Sequence, residues 1–314
     1  MPRNKIQFQK GMSEAEFDHL YGTEERCWAY LVAWRWPKGF ECPKCGGNSY
    51  CIVGMRKLFQ CAACHTQTSV TAGTIFDSTK LPLKTWFRAM YHITQTKGGI
   101  SSVELARRLG VTQTTAWKLA HKFMQVMLER EERQPLHGRV EMDDAYIGGK
   151  RTGGKRGRGA PGKAPFVAAV ETNEKGRPTR MKLCKVSGFR KQEIKRVAAK
   201  ILAQSALVVT DGLPCFAAVT AHGCRHDPRL ASKNTPVQNV TFKWVNTVLG
   251  NVKNSLLGTY RAIRLKHVPR YLASFSYRFN RRFDLGSMLT RLAWVATRTA
   301  PMPYRLLKLA EDCA

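Results

Sequence analysis

Residues 139–147 read RVEMDDAYI and residues 206–212 read ALVVTDG. The first is an apolar, strand-like segment with three acids inside it. Strand alternation puts Glu141, Asp143 and Ala145 on one face and Met142, Asp144 and Tyr146 on the other. The second is a short buried strand that runs into Asp211, and open α/β sheets present ligands and catalytic groups where their strands end. Crowded carboxylates repel unless a cation neutralises them. Two Mg²⁺ ions do this in phosphodiester chemistry. The plainer reading of Asp211 is the first residue of an Asp-Gly turn. Around these segments, Phe166–Glu171 and Met181–Val186 read as further strands, and Lys191–Gln204 as a helix. Three strands, a helix, a buried strand and then helices make an α/β layer pattern. Downstream, helices are expected over Trp244–Leu257, Val268–Phe283 and Leu285–Arg298, and Pro301-Met-Pro303 marks a break before a tail.

A third metal ligand has few candidates. Between Asp211 and Ala310 the only acids are Asp227, in a loop-like stretch, and Asp284, far along a helical hairpin. Asn246 opens a helix and lies seven residues before Lys253, two helical turns, so the two share a face. An amide oxygen coordinates Mg²⁺ more weakly than a carboxylate, and Lys253 could hold a phosphate beside the metal. The plainer readings are a helix cap and a solvated lysine.

Upstream, Cys42-Pro-Lys-Cys45 and Cys61-Ala-Ala-Cys64 stand 15 residues apart. Paired thiolates at this spacing form the closed, structural site of a zinc ribbon. Cys51 and His65 read as non-ligands. Residues 13–36 read as helical, and 84–95 as a second amphipathic helix. Ser101-x-x-Glu104 is a capping box, and Gly110 separates its short helix from one that starts at Thr112. Two helices across a glycine turn read as a helix-turn-helix, whose second helix would turn Gln113, Thr114, Thr115 and Lys118 to the major groove, with Trp117 in the core. Residues 150–163, KRTGGKRGRGAPGK, hold six bases and five glycines. That composition builds no core, and Lys150, Arg151, Lys155, Arg156, Arg158 and Lys163 suit an arm that tracks phosphates.

The 314 residues carry 52 Lys and Arg against 22 Asp and Glu, a net charge of +30. The excess runs through the whole chain and points to a long nucleic acid such as double-stranded DNA, with an anionic membrane the weaker alternative. No apolar run is long enough to span a membrane, and the first residues lack the apolar core of a secretory signal. The tight cysteine pairs favour a reduced compartment, so a cytoplasmic, nucleoid-associated protein is expected. The expected domains are a helical segment (1–36), the zinc ribbon (37–80), the helix-turn-helix (81–134), the α/β domain (135–300) and a tail (301–314).

The stretches CPKC…CAAC, TSVTAGTIFDSTKLPLKTWF, GISSVELARRLGVTQTTAW, VEMDDAYIGGK, VVTDG, WVNTVLGNVKNSLLGTY and YRFNRRF run in order along nearly the whole chain. In them the chain resembles bacterial insertion-sequence transposases, which carry an N-terminal zinc ribbon and a ribonuclease-H-like, DDE-type catalytic domain. The resemblance implies structural Zn²⁺, catalytic Mg²⁺ or Mn²⁺, recognition of terminal inverted repeats, cleavage at element ends and transfer of the 3′-OH into target DNA. It makes Asp143 and Asp211 the first two catalytic aspartates. Asn246 and Lys253 match an Asn-Lys form of the third position. It also implies a homodimer or larger assembly on DNA, with the Arg-rich C-terminal part tracking phosphates. A non-catalytic DNA-binding regulator and a structure-selective nuclease of the same fold are the rival readings.

Overall fold

The computed structural model describes residues 10–148, 162–229, 241–260 and 263–309. They form two compact units, one from Met1–Val126 with Phe283–Leu309 and one from Met127–Arg282.

In the first unit, the stretch 13–36 that reads as helical forms two helices, α1 (Glu14–Tyr21) and α2 (Glu24–Arg35). Two start signals explain the break. Ser13 and Glu16 close a reciprocal capping box, and Thr23 caps α2 by accepting from the Arg26 N–H. The zinc ribbon follows as β1 (Tyr50–Val53), β2 (Leu58–Cys61) and β3 (Gln67–Thr68), an antiparallel sheet with β2 in the middle. Trp28, Trp36, Phe40 and Tyr50 ring the buried Phe59 at centroid distances of 4.7–5.8 Å. Then come α3 (Leu83–Gln95), α4 (Ser102–Leu109) and α5 (Gln113–Glu132). Ser101 caps α4 as expected, accepting from the Glu104 N–H at 3.1 Å. The Glu104 carboxylate does not close the box; it pairs with Arg108 at 2.8 Å. Gly110 takes φ +64° at the turn.

Residues 283–309 depart from the expected boundary at 300. Helix α9 (Met288–Ala296) packs on α2 and α3, burying Met288, Leu289 and Leu292, and α10 (Tyr304–Leu309) ends the described chain. The helix expected over 285–298 is present, but its apolar face belongs to the core of the first unit rather than to the α/β domain.

The second unit is a five-stranded mixed sheet: β4 (Arg139–Ile147), β5 (Ala164–Thr172), β6 (Pro178–Lys185), β7 (Leu207–Thr210) and β8 (Arg225–Pro228). Its order is β6-β5-β4-β7-β8. The first three strands form an antiparallel meander, and β7 and β8 add in parallel on the other side of β4. Parallel addition needs a crossover, supplied by α6 (Lys191–Ile201) between β6 and β7. This is the ribonuclease-H-like arrangement. β8 occupies the stretch that reads as a loop, and a 3₁₀ helix, Pro214–His222, precedes it.

Both faces of the sheet are covered. Val140, Met142 and Val208 pack against Ile194, Val197 and Phe216 on one side. Ala145, Phe166, Ala168 and Val209 pack on the other against α7 (Lys243–Tyr260) and α8 (Val268–Asn280), through Val245, Leu249, Val252 and Leu272. The outer edge of β6 is closed by a side chain. Asn280 accepts from the Met181 N–H (2.8 Å) and donates to the Met181 carbonyl (3.0 Å), as a neighbouring strand would.

Candidate active site

The acids come together where β4 outruns β7. Pairing between these parallel strands ends at Glu141 with Val209. Past that point β4 has no partner on this side among the described residues, and the chain leaving β7 turns away at Gly212, φ +84°. Asp143 and Asp144 on β4 and Asp211 just after β7 meet at this notch, each with a carboxylate oxygen within 4.8 Å of the other two. Alternation assigns Asp144 to the opposite face. It reaches the notch because the missing strand leaves the side of β4 open there, which period-two counting does not register. The Asp144 N–H donates to Asp143 Oδ1 (2.8 Å), and the Leu213 N–H to Asp211 Oδ1 (3.1 Å), so backbone donors orient both carboxylates.

Burial raises the Asp143 carboxyl to about 6, aided by the charges of Asp211 and Asp144 and opposed by the Asp144 N–H and by Lys253. Lys253, on α7, thus lies near enough for its charge to favour the ionised form of Asp143. Asn246 and Lys253 are both solvent-exposed on that helix, two turns apart. Three hard oxygen donors that repel one another, all of them half-buried, suit a divalent cation such as Mg²⁺ or Mn²⁺. Of the other acids considered, Asp227 lies on β8 and pairs with Arg229 at 2.8 Å, and Asp284 pairs with Arg291 at 2.7 Å.

Sequence reading missed the role of Glu141. Its side chain is only 2% exposed. Oε2 accepts from the N–H groups of Trp244 and Val245, both at 3.0 Å, and Oε1 accepts from Arg139 at 2.9 Å. Arg139 also donates to the Thr241 carbonyl at 3.1 Å. An acid from β4 thus caps α7, whose own first turn contains no acid. The available signal was that helix start without a carboxylate, in a chain with a surplus acid on an apolar strand.

The four expected zinc ligands also converge. Cys42 Sγ lies 3.6 Å from Cys64 Sγ, and Cys45 Sγ 3.6 Å from Cys61 Sγ. A tetrahedron with Zn–S bonds of about 2.3 Å has edges near 3.8 Å, so the set fits Zn²⁺. The two knuckles match. Gly46 N–H donates to Cys42 O and His65 N–H to Cys61 O, with φ +74° at Gly46 and +55° at His65. His65 is therefore the second knuckle's turn residue rather than a ligand. A Cβ at Gly47 would stand 3.3 Å from Cys61 Sγ and 3.4 Å from Cys45 Sγ, so this glycine leaves room for the thiolates.

On α5, Gln113 and Thr114 are exposed and Thr115 is half-buried. Gln113 donates to Ser102 Oγ (2.7 Å), and Lys118 Nζ lies 4.5 Å above the Tyr304 ring. Trp117 is half-buried and stacks on His121 at 4.0 Å. Lys150, Arg151, Lys155, Arg156 and Arg158 lie outside the described residues; Lys163 is half-buried just before β5. The arginines of YRFNRRF have internal partners: Arg281 pairs with Glu131 (2.5 Å), and Arg282 donates to the carbonyls of Pro178 and Thr179. They fasten α8 to the edge of the sheet, which removes them from the set expected to track phosphates.

Among the described residues no helix is long and apolar enough to cross a membrane. Residues 22–67 match the transposase zinc-ribbon domain, and residues 135–280 match the ISXO2-like transposase domain. A protein of Halobacterium salinarum, described as an uncharacterized protein in transposable element ISH50, is 28% identical over 128 residues. That match takes in 40% of this chain and 42% of the relative, so the chain spans under half of that protein's length. Two solved structures are more distant. The Mos1 mariner paired-end complex with Mn is 14% identical, covering 60% of this chain and 74% of that one at a TM-score of 0.22. The Mos1 paired-end complex with the left transposon end is 12% identical, covering 66% and 78% at 0.21. The fold stands on strand order, and the family on the two domain matches in sequence. By family, the chain belongs with the insertion-sequence transposases, joining an N-terminal transposase zinc-ribbon domain to an ISXO2-like transposase domain.

Proposed function

We propose that the protein binds the terminal inverted repeats of its element, cleaves the DNA at their ends and transfers the 3′-OH into target DNA. The observation that carries this reading is the meeting of Asp143, Asp144 and Asp211 at the open end of β7, within reach of the Lys253 charge. Asp143 and Asp211, with Asp144 as a third carboxylate and the Asn246 amide contributed from α7, would hold Mg²⁺ or Mn²⁺. Such ions lower the pKa of a bound hydroxyl and offset charge on a phosphodiester in displacement. The residues of the chain do the rest. Backbone N–H donors hold the Asp143 and Asp211 carboxylates and fix the site's geometry. The Lys253 ammonium binds a non-bridging phosphate oxygen and aligns the strand. No nucleophilic side chain is required.

The net charge of +30 supports a DNA partner. Gln113, Thr114, Thr115 and Lys118 on α5 are proposed to contact element ends, and the basic residues of 150–163 to track the backbone. Holding two ends at once calls for a homodimer or larger complex on DNA.

The test is a strand-transfer assay with labelled element ends and Mg²⁺. Joined product supports this function, cleavage alone a nuclease, and binding alone a regulator. Asp143→Ala and Asp211→Ala should each abolish joining while leaving DNA binding intact. Normal joining by either variant would overturn the site.

A further inference from the structure

We propose that Glu141 is a positioning residue for the active site: its buried carboxylate, capping α7, sets where that helix presents Asn246 and Lys253 to the three aspartates. Glu141 and Asp143 lie two residues apart on one face of β4, about 7 Å along the strand. That face is turned toward α7. Oε2 of Glu141 takes both the Trp244 and the Val245 N–H at 3.0 Å, and Oε1 takes Arg139. Arg139 grips Thr241 O on the approach to the helix (3.1 Å) and Thr172 Oγ1 on β5 (3.3 Å). Strand and helix are thus joined by one rigid, charge-assisted clamp, and Asn246 begins one residue beyond its last bond. Leu249 and Val252 bury the helix against the sheet, but apolar packing is tolerant of small slides and rotations, whereas hydrogen bonds fix direction. Glu141 is not among the acids that converge at the notch, and both its oxygens are turned to donors on and beside α7.

The inference depends on the functional reading only in giving Asn246 and Lys253 a task. The experiment uses the full chain with Glu141→Gln, which keeps the shape but turns an amide N–H₂ toward N–H or guanidinium donors. Mn²⁺ alone is the metal probe. Expected are unchanged zinc content, Mn²⁺ affinity lowered no further than Asn246→Ala lowers it, and backbone hydrogen exchange at Trp244–Thr247 faster by roughly tenfold or more. Single-turnover cleavage at saturating DNA should fall roughly 10–100-fold with unchanged half-saturation. A loss of Mn²⁺ affinity well beyond that of Asn246→Ala would make Glu141 a ligand and overturn the proposal. So would wild-type exchange together with wild-type cleavage, because α7 would then be held without the clamp. Should Glu141→Gln fail to fold, Arg139→Gln, which loosens the same clamp from its exposed side, is read by the same measurements. A wild-type chain that cuts no DNA would sink the functional reading, while exchange and Mn²⁺ binding, which need no DNA, still decide the position of α7.

Discussion

Asp143 shows at the scale of one residue what the site needs. Its folded pKa of about 6 stands above the usual value of 3.8, chiefly through burial and then through Asp211 and Asp144. A carboxyl whose folded pKa is raised contributes stability that is complete below the unfolded pKa and lost as pH rises through the folded one. The chain without divalent ions should therefore lose about 1–3 kcal/mol between pH 4 and 6, and Asp143→Asn should remove that slope. Thermal melts in Mg²⁺-free buffer check this; a chelator would also strip the ribbon. Metal must displace the same proton. Mn²⁺ affinity should rise by up to about tenfold per pH unit until about pH 6 and then level off, as titration calorimetry would record. A flat profile across pH 5–7 would show that Asp143 is already ionised in the metal-free chain.

Secondary elements are held here by single side chains that stand in for backbone. Asn280 completes the edge of β6 at Met181 and donates to Glu131 at 2.5 Å. Asn280→Ala leaves the N–H and carbonyl of a buried residue without partners. A loss of about 2–3 kcal/mol in urea unfolding is expected, against near-wild-type stability if water replaces the amide. In the first unit Glu24 does for α3 what Glu141 does for α7: its carboxylate accepts from the N–H groups of Leu83 (2.7 Å) and Lys84 (3.0 Å). The ribbon has so little sheet that its metal must supply much of its stability. Cys45→Ser should lose zinc and expose the aromatic cluster around Phe59, read by metal analysis and dye binding, while the sheet of the second unit persists in circular dichroism.

For the molecule as a whole, the proposed function assigns binding strength to charge and choice of site to the residues of α5. With +30 to neutralise, affinity for any duplex should fall steeply with salt, by roughly a thousandfold or more between 50 and 200 mM if six or more phosphates are engaged. Replacing Gln113 and Thr114 by Ala should reduce preference for element ends over random DNA and leave that salt slope unchanged. Removing basic residues from 150–163 should instead flatten the slope by about one for each phosphate no longer neutralised. Gel-shift titrations at several salt concentrations separate the two. Equally weakened binding to specific and random DNA for Gln113→Ala would remove α5 from the recognition surface.

The sequence by itself determined what depends on local spacing. The zinc set is legible because two short knuckles contain all its ligands. The strands around Asp143 and Asp211 are legible because alternation and apolar runs record burial. Helix starts at Ser101 and Thr112 are legible because a capping hydroxyl acts within three residues. Only the tertiary structure decided which distant segments share a core or a notch. Asp144 joins its neighbours because β7 stops short of β4, a fact of strand pairing rather than of period. Glu141 caps a helix that begins a hundred residues later, and α9 packs with helices from the other end of the chain. Arg281 and Arg282, which composition would give to DNA, are taken up by Glu131 and the carbonyls at the start of β6. Local patterns fix how each segment folds; the partners of a buried charge are chosen by whatever the completed fold brings within hydrogen-bond reach.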